Sequence, residues 1–326
     1  MGKKRIQLFC GKLAVLLLSV CALSFAVFFM ARLAPGDPLV SYYGERAEKM
    51  SEEERARARQ RLGLDEPITA QYVRWVQNAL RGDLGISYKY KRSVLAVIGE
   101  RIGNTLILGG TGFVLILALA VLLGTLCARY EDGWFDRILC RAGTAVSCIP
   151  EFWLSLVLIL IFAVELKVLP SSGAYTIGQG GAADRMRHLV LPLAVVVLGH
   201  LWYYAYMIRN MLLDEVRKDY VLLAKSKGLH RRRILFGHCL RNVLPGYLSI
   251  MAISVPHILG GTYIVETVFS YPGIGTLIYE SARYKDYNLL MVLSMLSGIV
   301  VICCNGIAQA VNERVDPRIR HREDEG

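Results

Sequence analysis

Long charge-free apolar runs alternate along the chain with shorter charged segments. Ala14 to Ala31 carries no charge. Ile102 to Ala128 is charge-free for 27 residues, Leu189 to Ile208 for 20, Asn242 to Val265 for 24 and Tyr287 to Asn312 for 26. One further segment, Ala142 to Leu166, is apolar except for Glu151 near its start and Glu165 near its end. A bilayer core about 30 Å thick needs roughly 20 apolar residues as a helix. The pattern therefore predicts an all-α integral membrane protein with six transmembrane helices. The first run follows Lys3, Lys4 and Arg5, as in a secretory signal. It is longer than the apolar stretch of such a signal, and Ala-Arg-Leu-Ala-Pro-Gly-Asp-Pro is a poor cleavage site, so it is read as an uncleaved first span.

The segments between the runs carry their own patterns. Glu52 to Arg61 is charged, Ala-containing and Pro-free, which favours a surface helix with Gly63 just beyond it. Asp65-Glu66-Pro67 then leads into a second helix, Thr69 to Leu80, in which Tyr72, Trp75, Val76 and Ala79 recur at helical spacing. That apolar face is expected to pack on the membrane part, with a docking surface for an outside partner as the sharper reading. Between the fourth and fifth spans in chain order, Asp219 to Lys227 reads as a short helix and Gly228 suits the position after it, where positive φ is wanted. A second short helix is expected to start near His230. Two helices joined by a glycine turn make a rigid knob.

Composition sharpens this picture through its distribution. The chain has 326 residues, 54% hydrophobic and 20% charged, with a mean hydropathy of +0.39. It holds 38 Lys+Arg against 27 Asp+Glu, a formal charge of +11. With the N-terminus inside, the inside segments hold 20 of the basic residues and the two short outside loops hold 5; the other 13 lie in the long segment 32–101. Basic residues favour the cytoplasmic side, and long loops are exempt from that rule. Both termini are therefore expected in the cytoplasm. The positive charge is a topology signal and an attraction for anionic lipid, not a nucleic-acid footprint. All eight cysteines fall in predicted spans or inside segments, with no zinc-ligand spacing.

Absences narrow the function. The chain has no GxxxxGK[ST] phosphate loop, no GxSxG and no HExxH. No catalytic residue and no resident metal or cofactor is expected. Glu151, Glu165 and Glu266 fall near predicted span ends, so a proton relay at mid-depth has no candidate by position along the chain.

At residues 219–245 the sequence resembles the permease subunits of binding-protein-dependent ATP-driven importers, most of all the dipeptide, oligopeptide and nickel branch. The family signature runs Glu-Ala-Ala, three residues, Gly, and some nine residues on to Ile-x-Leu-Pro. Ala224 and Gly228 keep the Ala-x-x-x-Gly core, Leu222 and Leu223 replace its first positions, and Val243-Leu244-Pro245 stands at its end, with Pro245 about one position early. Asp219, Tyr220, Leu229, His238, Leu240, Arg241 and Asn242 match the branch variant. The likeness covers the whole chain. Arg32-Leu-Ala-Pro-Gly-Asp-Pro38, Leu62-Gly-Leu-Asp-Glu-Pro67, Gln71-Tyr72 and Gly82-Asp-Leu-Gly-Ile-Ser87 resemble the branch's outside module. Ile149-Pro-Glu-Phe-Trp153, Leu169-Pro-Ser-Ser-Gly173, Val265 to Gly275, Asp286-Tyr287 and Asp316-Pro-Arg-Ile-Arg320 follow in the branch's order.

The resemblance implies a type I ABC importer permease fold with a helical extracytoplasmic insertion between spans 1 and 2. It divides the chain into a cytoplasmic N-terminus with span 1 (1–31), an extracytoplasmic module (32–101), a permease core of spans 2–6 (102–312) with a coupling loop (213–241), and a cytoplasmic tail (313–326). It implies a homologous second permease subunit, two cytoplasmic ATPase subunits that hold the ATP and magnesium, and an extracytoplasmic solute-binding protein. Asp219, Tyr220, Ala224, Gly228, Leu229, His238, Arg241 and Asn242 are the expected ATPase-coupling residues. His200, Tyr203, Tyr206 and His257 are candidate pathway-lining residues, because they interrupt the apolar spans. The substrate implied is a dipeptide or oligopeptide, with nickel or a nickel chelate as the alternative. A secondary transporter without an ATPase, or a membrane receptor, is the remoter reading.

Overall fold

A computed structural model describes residues 2–33, 39, 43–44, 46–62, 64–87, 89–178 and 180–315, and side chains for all of these except 2–10, 12–13, 62 and 309–315. Ala34 to Pro38 of the first motif, Gly63, and Asp316 to His321 lie outside the described residues. Five of the described helices are long and apolar enough to cross a membrane, and a sixth span is counted if one bent helix pair forms it.

The chain packs as two compact units, residues 1–103 with 273–303 and residues 104–272 with 304–326. In the first, α1 (Gly2–Leu33) carries the first apolar run. Two short helices follow, α2 (Arg46–Lys49) and α3 (Glu52–Leu62). A capping box opens α3: the Ser51 backbone N–H donates to Glu54 Oε2 at 2.9 Å, and the Glu54 N–H donates to Ser51 Oγ at 3.2 Å. Next comes α4 (Ile68–Leu80), capped by Pro67. Its expected apolar face is real and covered: Ile68, Tyr72 and Trp75 pack on Val27 and Phe28 of α1 and on Met291. Tyr72 Oη also lies 2.6 Å from Ser24 Oγ, so the phenol keeps a partner while its ring meets Phe25 and Phe28 edge-on.

The motif Gly82–Ser87 enters a two-residue hairpin, β1 (Ile86–Ser87) against β2 (Arg92–Ser93). It leads to α12 (Ile274–Arg283) and to the first residue before α13 (Tyr287–Val315). Asp286 is fully buried; it accepts from the Ser87 hydroxyl and the Lys89 N–H and caps α13 through the Leu289 N–H. Glu280 takes Lys89 Nζ at 2.8 Å and the Tyr90 hydroxyl. Burial works to raise the Glu280 carboxyl, but these two donors outweigh it and hold it below its ordinary value. Two motifs about 200 residues apart in sequence are thereby one buried polar network.

The second unit contains most of α5 (Val94–Arg129), then α6 (Trp134–Ser147), α7 (Glu151–Leu158, continued by a π-helical segment Ile159–Glu165), α8 (Ala182–Val216), α9 (Asp219–Ser226), α10 (Arg231–Ile234) and α11 (Leu240–Val268). Its core is built on α8, whose Val195, Val196, Leu201, Tyr204, Ile208 and Leu212 are all buried.

Two expectations are corrected. The span predicted over 142–166 is not one straight helix: α6 and α7 are bent by 101° at a break over 148–150. Pro150 has no N–H to give the preceding turn and disfavours a helical residue before it, so α6 ends and a new helix starts from the Pro150 carbonyl, which accepts the Leu154 N–H at 3.0 Å. The second helix of the knob is also not short. It begins as α10, widens through a π turn at Leu235–Cys239 and continues into α11, 38 residues from Arg231 to Val268. Pro245 lies inside that helix.

Small residues set the closest helix contacts. An added Cβ at Gly124 on α5 would stand 2.5 Å from the Ala205 carbonyl oxygen and 2.6 Å from Ile208 Cγ2 on α8. One at Gly110, on the same helix, would meet nothing within 4 Å. Gly124→Ala is therefore expected to destabilise the membrane domain by about 1–3 kcal/mol through overpacking. Gly110→Ala should be neutral or stabilising by up to about 1 kcal/mol through helix propensity. Thermal unfolding of the two variants in detergent checks the ordering.

Candidate functional site

The knob begins where α8 ends. After Val216 the chain turns at Arg217 and Lys218 and re-enters a helix at Asp219. That helix, α9, ends as the sequence predicts. Gly228 has φ +75°, its N–H donates to the Lys225 carbonyl at 2.9 Å, and the Leu229 N–H donates to the Ala224 carbonyl at 3.2 Å. The pair of bonds is a Schellman closure, which needs a left-handed residue that glycine supplies without strain. Val221 is fully buried and roots the helix in the core, with Ala224 and Leu229 packed against the same cluster. The opposite face is bare: Leu222 is 69% and Leu223 56% exposed, large apolar side chains on a short polar projection. Asp219, Gly228, His238 and Arg241 are exposed as well.

One side chain ties these pieces together, and sequence reasoning missed it. Glu215, in the last turn of α8, is 7% exposed. It accepts from Lys218 Nζ at 2.5 Å, Tyr220 Oη at 2.9 Å and Asn242 Nδ2 at 3.1 Å. Asn242 also donates to Tyr220 Oη at 3.3 Å, and Tyr220 Oη lies 3.6 Å from Cys239 Sγ in the π turn. Tyr220 and Asn242 were candidates; the carboxylate that joins them was not. Burial, reinforced by Cys239 and Glu215, pushes the Tyr220 hydroxyl above the ordinary phenol range and keeps it a donor. The end of α8, the start of α9 and the start of α11 therefore share one hydrogen-bonded hub. A signal for it exists in the sequence: Glu215 is acidic, one turn before Asp219 and next to apolar Val216, at the end of a helix where a negative charge needs compensation.

The four candidate pathway residues fall into two places. Tyr203 and Tyr206 are 61% and 54% exposed and line a cavity of about 220 Å³ with Trp202, Cys140 and Thr144. Beside it Arg209 grips Asp136 with two bonds of 2.6 Å. His200, in contrast, is buried, and its ring meets exposed His257 edge-on at 5.2 Å between centroids.

Residues 120–321 match the model of the binding-protein-dependent transport system inner membrane component, and residues 5–109 match that of the N-terminal part of such membrane components. The chain belongs to this family of transport permeases. Among relatives, the permease is 32% identical to the oligopeptide transport system permease protein AppB of Bacillus subtilis over 94% of its own length and 96% of the relative's. It is 33% identical to the probable peptide ABC transporter permease protein y4tP of Sinorhizobium fredii, over 90% and 93%. Among solved structures it is similar to an inward-facing MetNI methionine ABC transporter chain, with TM-score 0.56 and 16% identity over 68% of this permease and 97% of that chain. The permease has the type I ABC importer fold.

Replacing the hub tests what holds the permease's knob. Glu215→Leu removes the acceptor of Tyr220 and Asn242, and hydrogen bonds to a charged group are worth about 1.5–3 kcal/mol each; Lys218, exposed at the surface, adds little. Trypsin cleavage within the basic segment 217–241 should speed up by roughly tenfold or more, while Glu215→Gln, which keeps an acceptor for Tyr220 and Asn242, should lie between the two.

Proposed function

We infer that this permease is the peptide-translocating subunit of an ATP-driven importer. It pairs with a homologous permease, receives substrate from an extracytoplasmic binding protein, and is driven by two separate ATPase subunits that bind the ATP and magnesium. The relatives named for oligopeptide and peptide transport support the substrate class. Residues 32–101 form the outside module, 102–312 the membrane core and 213–241 the coupling loop. Both termini, 1–31 with its first span and the tail 313–326, start or end in the cytoplasm of a bacterial inner membrane.

The single observation that carries the coupling role is the construction of α9. Its inner face is locked to α8 and α11 through Val221 and the Glu215 hub, and its outer face offers Leu222 and Leu223 bare to solvent. A rigid, glycine-ended helix with an unpartnered apolar face fits a groove on an ATPase. Movement of that ATPase then passes to two membrane helices at once, since Tyr220 and Asn242 meet on one carboxylate.

Gly228→Val forces a β-branched residue into positive φ, at a local cost of about 1–2 kcal/mol. The Cβ meets nothing within 4 Å in this chain, so folding and membrane insertion should survive. Uptake of a labelled peptide in cells lacking the wild-type copy should fall to background with an undiminished membrane level of the variant. Wild-type uptake by Gly228→Val would refute the coupling role. Labelled dipeptide and radioactive nickel, supplied in parallel to wild-type and deletion cells, separate the two substrate readings.

A further inference from the structure

Glu151 is the first residue of α7, directly after the break at Pro150. The break carries it inward to Gly199 and His200, the middle of α8. An acidic residue that the chain order places near a span end thus sits level with the centre of the buried helix. Two glycines make room for it. A Cβ at Gly199 would lie 2.9 Å from Glu151 Oε1; one at Gly261 on α11 would lie 2.9 and 3.0 Å from its two oxygens and 2.8 Å from His200 Cε1. His200 Nδ1 is 3.0 Å from the Val196 carbonyl oxygen and 3.4 Å from Glu151 Oε1. Glu151 Oε2 is buried and has no hydrogen-bond partner.

A bare carboxylate oxygen in this setting carries a large desolvation cost. The neighbours do not remove it. From α8 the titratable group facing Glu151 is His200, and from α11 it is His257, reached through His200. Tyr204, the next along α8, pairs with Ser254 instead. His200 Nδ1–H is directed at the Val196 carbonyl, with Glu151 Oε1 as a more distant second acceptor. No group of three His, Cys, Asp or Glu side chains suited to a metal ion is present among the described residues. A proton on the carboxyl removes that cost, and the row Glu151–His200–His257 leads from it to an exposed ring.

We propose that Glu151 binds an exchangeable proton inside the membrane domain, relayed through His200 and His257, and that the neutral acid holds the N-terminus of α7 in the recess between Gly199 and Gly261. On release, the proton leaves the Glu151 carboxyl for His200 Nε2, the ring nitrogen left open while Nδ1–H faces the Val196 carbonyl, leaving carboxylate and imidazolium. It passes next from His200 Nε2 to the His257 ring and out of the domain from there. The charged carboxylate no longer fits a recess that offers one histidine and two glycines. Opening of the broken span is then linked to loss of one proton.

Infrared difference spectroscopy of the intact importer in lipid nanodiscs, recorded between acidic and alkaline buffers over about pH 5–9, reads the site directly. The expected result is a carboxylic acid C=O band that fades as pH rises, shifts down in D₂O, and is missing in Glu151→Gln. Its midpoint should move in His200→Asn. An unchanged difference spectrum in Glu151→Gln overturns the proposal. In parallel, the pH profile of peptide-driven ATP hydrolysis should lose a limb in Glu151→Gln, where a single titrating group gives up to about tenfold per pH unit, and keep it in Glu165→Gln, an exposed acid on the same helix. Equal profiles in wild type and Glu151→Gln also overturn it. The infrared arm needs no substrate, so a band assigned to Glu151 supports the proton site even where peptide fails to stimulate hydrolysis, which would count against the peptide reading alone.

Discussion

Close approach of helices to α8 is the constraint on which the second unit depends. Lipid supplies little hydrophobic force between spans, so helices associate where small side chains let backbones meet. Gly124 brings α5 to the Ala205 carbonyl, Gly143 lets α6 lie against the Trp202 ring, and Gly199 and Gly261 leave room for Glu151 between α8 and α11. Each contact has α8 on one side or beside it. The helix that results is the most buried of the long ones, and every displacement of its neighbours is registered against it.

That arrangement explains why the end of α8 is where the knob is fastened. A loop tethered only by its two chain ends would absorb a push by bending. Here α9 is fixed by Val221 in the core and by Tyr220 on Glu215, while α11 is fixed to the same carboxylate by Asn242. A push on Leu222 and Leu223 therefore reaches α8 and α11 together. The π turn at Leu235–Cys239 lies between the knob and the spanning part of α11, and its widened backbone puts Cys239 within reach of the Tyr220 hydroxyl. π turns of this kind recur at functional sites because they sit where a regular helix has been locally re-aimed.

Much of this was legible in the sequence, for reasons that are local. Charge-free length marks a span, and Asp219 to Gly228 marks a short helix with a left-handed end, because both follow from nearest-neighbour backbone and solvation physics. The helical spacing of Tyr72 and Trp75 likewise announced an apolar face, and α1 covers it. What stayed hidden depends on partners distant in the chain. Glu215 looked like one more charge in a basic segment, since its donors come from residues 218, 220 and 242. The Ser87–Asp286 contact joins two motifs that read as separate. The third span looked continuous because hydropathy averages over Pro150, although the proline itself carried the warning that the helix stops there. His200 read as a pathway candidate because it interrupts an apolar span, and the carboxylate that the break swings beside it was not visible along the chain.

Two carboxylates at the same helix show how surroundings decide a role. Glu215 is buried in the last turn of α8, and Glu151, from α7, reaches the middle of α8 with its side chain mostly covered. Glu215 has a donor for each oxygen and a third besides: Lys218 on one, Tyr220 and Asn242 on the other. Its charge is fully answered, so it serves as a fixed joint. Glu151 has one oxygen beside a histidine that already has a backbone acceptor, and one oxygen with nothing. A group left half-answered in low dielectric must change its charge or its position, and the glycines at 199 and 261 keep it from acquiring a closer neighbour in place. The same residue type is thus a rivet at the foot of α8 and a titrating contact at its middle. The difference lies in how many donors the neighbouring helices supply.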